Sequence, residues 1–119
     1  PYFEQISQLQ VSSHLLIERN GSIIQFVPFN KKAWHAGISK FQGRENCNEF
    51  SIGIELEGTD NLDYTKNQYE SLVEATKEIM KVYPAISKEN IVGHSDIAPD
   101  RKTDPGDSFN WNLYLHNLV

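Results

Sequence analysis

Apolar and polar positions alternate most cleanly over Phe50–Glu57, with Phe50, Ile52, Ile54 and Leu56 on one side and Ser51, Gly53, Glu55 and Glu57 on the other. A period of two marks a strand with one packed face. The segment is therefore expected to lie in a sheet and to show two carboxylates on its other face. A looser alternation runs over Val11–Glu18, and β-branched and aromatic residues follow from Ile23 to Pro28. Between them stands Arg19-Asn20-Gly21-Ser22, whose Asn-Gly pair tolerates the positive φ angles of a tight hairpin turn. Residues 11–28 are thus expected to form a β-hairpin.

The period changes after Thr65. Tyr69, Leu72, Val73, Thr76, Ile79, Met80 and Tyr83 recur at helical spacing. Thr65 and Gln68 have capping-box spacing and Pro84 is a stop signal, so a helix is expected over Lys66–Val82. A short strand at Ile91–Gly93 is expected to deliver His94, followed by a polar loop to Gly106. Phe109, Trp111, Leu113, Tyr114 and Leu118 predict a short closing helix. Residues 29–49 have no sustained period and read as one long ordered loop, a feature that in a compact domain is usually functional. Strands first and helices after them predict an α/β fold, a central mixed sheet flanked by helices. A chain of 119 residues fits one domain, 1–119.

Composition narrows the function classes. With 11 Lys and Arg against 16 Asp and Glu, the formal charge is −5, and no basic patch offsets it, so no nucleic acid is expected as a partner. The longest apolar runs, such as Leu15-Leu16-Ile17, fall far short of the roughly 18–20 residues a membrane helix needs. A soluble monomer is expected, with no membrane partner. The single cysteine, Cys47, cannot form an internal disulfide and favours a reducing compartment. No basic segment followed by an apolar one reads as a secretory signal, which points to a cytoplasmic location.

The densest polar stretch is His94-Ser95-Asp96-Ile97-Ala98-Pro99-Asp100-Arg101-Lys102-Thr103-Asp104-Pro105-Gly106. Pro105 biases Asp104 towards an extended backbone, which narrows the directions its carboxylate can take. A histidine and a carboxylate on a returning loop can converge on one divalent ion, and nitrogen with oxygen suits zinc. The plainer reading of the same residues is a surface loop with a hydrogen-bonded histidine. Glu55 on its strand face is either a solvated carboxylate or, beside the gap left by Gly53, a general base. Lys102 is either a surface lysine or a stabiliser of developing negative charge. His14, in an apolar strand, reads as a hydrogen-bonded core histidine rather than a ligand. Trp34-His35-Ala36-Gly37 suits either the wall of a sugar or peptide cleft or an anchor for its loop. Cys47 reads as a small buried hydrophobe, and His116 has no ligand pattern around it.

Four strings then carry a resemblance: Val11-Ser12-Ser13-His14-Leu15-Leu16-Ile17, Ala33-Trp34-His35-Ala36-Gly37, Phe50 through Gly58, and Gly93 through Gly106. In this order they closely resemble the AmpD-type N-acetylmuramoyl-L-alanine amidases, zinc hydrolases that share their fold with phage amidases and peptidoglycan-recognition proteins. The resemblance implies that His94 and Asp104 are zinc ligands, that Glu55 is the catalytic carboxylate and that Lys102 steadies the oxyanion. It implies that Trp34 and Arg101 contact the substrate, a muropeptide or peptidoglycan fragment cleaved at the amide between the lactyl group of N-acetylmuramic acid and L-alanine. In this family that reaction serves cell-wall recycling in the cytoplasm. Two positions depart from close relatives, Gln10 and Asn46, where arginine is expected. A third zinc ligand of the family, a histidine on an early strand, has no counterpart after Pro1. Together with Met80 as the sole methionine, this predicts a domain truncated at its N-terminus. The alternative is a non-catalytic peptidoglycan-binding module of the same fold.

Overall fold

The computed structural model describes residues 13–29, 40–41, 44–45, 51–58, 62–98 and 103–118. The predicted hairpin is present as β1 (Leu15–Ile17) and β2 (Ile23–Gln25), antiparallel with Leu16 opposite Ile24. Gly21 takes φ +91° in the connecting turn, a conformation that L side chains rarely adopt. Two short strands follow, β3 (Lys40–Phe41) and β4 (Arg44–Glu45), paired antiparallel. The expectation of a loop throughout 29–49 is corrected here: strands of two residues each are too short for a period of two to register.

The alternating segment contributes β5 (Ile54–Leu56), parallel to β1 with Leu16 opposite Glu55. The sheet order is β2-β1-β5, one antiparallel and one parallel pairing, which is the mixed sheet the sequence predicts. Phe50 lies outside the described residues. At the start of this strand Gly53 O still accepts from Leu15 N at 3.2 Å, but the Gly53 N–H turns to the His14 side chain. His14 N donates to Gly53 O at 2.9 Å, and Gly53 N donates back to His14 Nδ1 at 3.1 Å. His14 is fully buried. It is the hydrogen-bonded core histidine expected from its surroundings.

Helix α1 spans Lys66–Val82, and its capping box forms as predicted. Thr65 Oγ1 accepts from Gln68 N at 3.1 Å, and Gln68 Oε1 accepts from Thr65 N at 3.0 Å. Gln68 does more than cap, because it is fully buried. Its Nε2 donates to Ile17 O at 3.2 Å and to Glu57 O at 2.9 Å, joining the ends of β1 and β5 to the helix start. Arg19 Nη1 adds a bond to Gln68 Oε1 at 3.3 Å. The hairpin turn seats on the next turn of the helix, where Ser71 Oγ donates to Gly21 O at 2.6 Å. One face of the sheet and one face of α1 enclose the core. Ile17, Leu72, Phe109, Tyr114 and Leu118 form it, with Ile54, Leu56 and Val73 packed against them.

After α1 come a single 3-10 turn at Lys88–Asn90, the one-turn helix α2 (His94–Ile97) and the closing helix α3 (Trp111–His116). Among the described residues Ile91–Gly93 joins no strand ladder, so the strand expected there does not register. His94 consequently opens a helical turn rather than ending a strand. Asp96 explains the switch: its Oδ2 accepts from Gly93 N at 2.8 Å and satisfies an otherwise open donor at the helix start. Around Phe109 the aromatic residues lock α1 to α3. Tyr69 stacks on it at 5.4 Å, while Trp111, Tyr114 and Tyr64 meet it edge-on at 4.8, 5.7 and 5.8 Å.

Candidate metal centre

The turn that carries Asp104 is held from three directions. Asp104 O accepts from Ser95 N at 3.0 Å, which ties it to α2. Pro105 O accepts from Tyr64 Oη at 2.8 Å, a bond to the segment just ahead of α1. The Pro105 ring lies against Gly93, so close that an added Cβ on the glycine would stand 2.7 Å from Pro105 Cδ. The Asp104-Pro105 peptide is cis.

Held in this way, the Asp104 carboxylate faces His94, with Nδ1 and Oδ2 3.4 Å apart. The imidazole is mostly buried, at 15% exposure, and the carboxylate is half-exposed, at 46%. The separation exceeds that of a good N–H···O hydrogen bond, about 2.7–3.2 Å. It does match two donors sharing one ion: ligands at about 2.0–2.2 Å from a tetrahedral metal stand roughly 3.3–3.6 Å apart. The donor set, one nitrogen and one oxygen, fits zinc. Among the described residues no third His, Cys, Asp or Glu joins the pair.

Glu55 sits in the middle of β5, level with Leu16 and, across β1, with Ile24. The core-facing residues of these strands are Ile17, Ile54 and Leu56, so Glu55 points from the sheet face turned away from α1, and it is exposed. Trp34, Arg101 and Lys102 lie outside the described residues, as do His35 and Cys47. Of the residues singled out in the sequence, His94 and Asp104 are thus brought together. His116 ends α3 in an exposed position. Two residues that support the pair give no signal in the sequence. Tyr64 is 41 positions from its partner, and Gly93 matters for what packs against it.

The fold and the pair define a small α/β domain with a nitrogen–oxygen donor site. Sequence comparison gives the family. The profile of the N-acetylmuramoyl-L-alanine amidases matches residues 1–107, and the chain belongs to that family. It is 59% identical over 118 residues to the 1,6-anhydro-N-acetylmuramyl-L-alanine amidase AmpD of Haemophilus influenzae, covering 99% of this chain and 64% of that one. It is 60% identical over 111 residues to the AmpD of Escherichia coli, covering 93% of this chain and 60% of that one. The chain therefore spans less than two thirds of the length of these relatives. A crystal structure of a selenomethionine AmpD derivative superposes with a TM-score of 0.90 at 56% identity, over 100% of this chain and 66% of that one. The amidase AmiD of Escherichia coli, in complex with anhydro-N-acetylmuramic acid-L-Ala-D-γ-Glu-L-Lys, gives 0.84 at 37% identity, over 98% and 52%. No described helix is long and apolar enough to cross a membrane.

Proposed function

We propose that this chain carries the catalytic domain of a zinc-dependent amidase that hydrolyses the lactyl–L-alanine amide of 1,6-anhydromuropeptides in cytoplasmic cell-wall recycling. The observation that carries the reading is the His94 Nδ1 to Asp104 Oδ2 separation of 3.4 Å, in a chain of this family. His94 and Asp104 hold the metal, and the remaining protein ligand comes from outside the described residues. Zinc, when bound, would supply Lewis-acid polarisation of the scissile carbonyl and would lower the pKa of water towards neutrality. Glu55 takes the proton of the attacking water and delivers it to the leaving amine of L-alanine. Lys102 donates to the oxygen on which negative charge develops. Trp34 and Arg101 hold the substrate.

The reaction is tested by incubating the full-length protein with zinc and an anhydromuropeptide and following release of free peptide. Release that stops with chelator and with Glu55→Ala supports the reading. Tight muropeptide binding without turnover would instead identify a binding module, and turnover that survives both treatments would overturn the assignment.

A further inference from the structure

Asp104 lies on a turn, yet the geometry above asks it to hold its carboxylate to within a few tenths of an ångström of a fixed position beside His94. Two of the three restraints on that turn are local. The Ser95 N–H and the bare Cα of Gly93 both belong to the His94 segment itself, so they move with it. The third comes from elsewhere in the fold. Tyr64 Oη donates to Pro105 O at 2.8 Å, and the Tyr64 ring is braced edge-on by Phe109. Phe109 is buried in the core between α1 and α3. The phenol therefore refers the Asp104-Pro105 turn to the rigid body of the domain.

We infer that Tyr64 is a positioning residue of the metal centre: its phenol holds Pro105 and thereby fixes the Asp104 carboxylate against His94. This rests on the zinc-site reading above and adds to it a residue that acts through Pro105 rather than as a ligand. Groups that orient a metal ligand through hydrogen bonds commonly change metal affinity by about 10–100-fold when removed. The neighbouring Tyr69 supplies an internal control. It stacks on the same Phe109 at 5.4 Å, but its Oη accepts from Asn110 N at 2.8 Å and makes no bond to the Asp104-Pro105 turn. Loss of either phenol loosens the same aromatic cluster, and only the loss of Tyr64 releases the turn.

The experiment is a chelator-competition measurement of zinc affinity on the full-length protein and on Tyr64→Phe, Tyr69→Phe and Asp104→Ala, with the melting temperature of each metal-free form. Tyr64→Phe is expected to weaken zinc about tenfold, with Tyr69→Phe within a factor of two of the parent at a similar melting temperature. Asp104→Ala is expected to bind far more weakly still. If Asp104→Ala loses zinc while Tyr64→Phe binds like the parent, the positioning role is wrong and the zinc site stands. Equal weakening by both tyrosine variants reduces Tyr64 to a general packing residue and also overturns the inference. If Asp104→Ala binds like the parent, the site itself is wrong and Tyr64 falls with it.

Discussion

His14 and Gly53 exchange hydrogen bonds in both directions, the backbone of His14 donating to Gly53 O and Gly53 N–H donating to the His14 ring. The exchange closes the entry to the parallel β1–β5 pairing, and it takes place where His14 is fully buried. Because Nδ1 accepts, the ring proton of the neutral imidazole sits on Nε2. His14→Ala leaves the Gly53 N–H without this acceptor and opens a cavity. A loss of about 2–4 kcal/mol in urea unfolding is expected, well above a typical surface substitution. An effect under about 0.5 kcal/mol would show that the ring is dispensable.

Gln68 makes a second prediction. Gln68→Leu keeps the volume but removes the partner of Thr65 N, Ile17 O and Glu57 O. The expected cost is about 2–3 kcal/mol, because buried groups lose partners along with the cap itself. Thr65→Ala removes only the cap and its bond to Arg19 O, so it should cost about 1 kcal/mol. Denaturant midpoints of the two variants test the ranking.

Tyr114 carries a third prediction. Burial pushes its phenol above the ordinary value, and hydrogen bonding with Thr76 offsets part of that rise. Since the folded pKa exceeds the unfolded one, the stability it confers is complete below about pH 10. That stability is lost as pH rises through the folded value. Tyr114→Phe should lower stability by about 1 kcal/mol at neutral pH, through loss of the 2.7 Å bond to Thr76. Its stability should also fall less steeply than the parent's between pH 9 and 11, as read from unfolding free energies at several pH values.

Gly93 carries the fourth. A methyl group there meets the Pro105 ring at 2.7 Å and Trp111 at 3.3 Å, and neither neighbour is the loose end of a flexible chain. Gly93→Ala is therefore expected to shift the Asp104 turn, costing about 1–3 kcal/mol and weakening zinc binding together. Calorimetry with and without zinc separates the two effects, and an unchanged zinc constant would dissociate Gly93 from the metal centre.

Much of this was legible in the residues themselves. The Asn20-Gly21 turn, the Thr65/Gln68 cap and the 66–82 periodicity are local signals, and each element formed where its signal lay. Local pattern failed where a distant partner decides the outcome. The Gly53 N–H bonds a side chain because His14, 39 positions away, takes it. Ile91–Gly93 has strand-like residues but pairs with no strand among the described residues, and Asp96 caps the turn that opens α2. At the site, Pro105 and the His94/Asp104 spacing marked the donor pair, whereas Tyr64 could be found only by seeing what its hydroxyl reaches.

The cap of α1 also bears on how the domain assembles. Its local half, Thr65 with Gln68, can form as soon as the helix does. Its other half binds Ile17 and Gly21 from positions 51 and 50 residues later in the chain. Closing a loop of that length costs roughly 3–4 kcal/mol of chain entropy beyond the constant for initiating it. The helix start thus remains open to solvent until the hairpin docks, and then a buried amide seals it. Amides in the first turn of α1, usually the first to fray, should exchange with solvent only when the sheet detaches, so their protection times the folding of the whole domain.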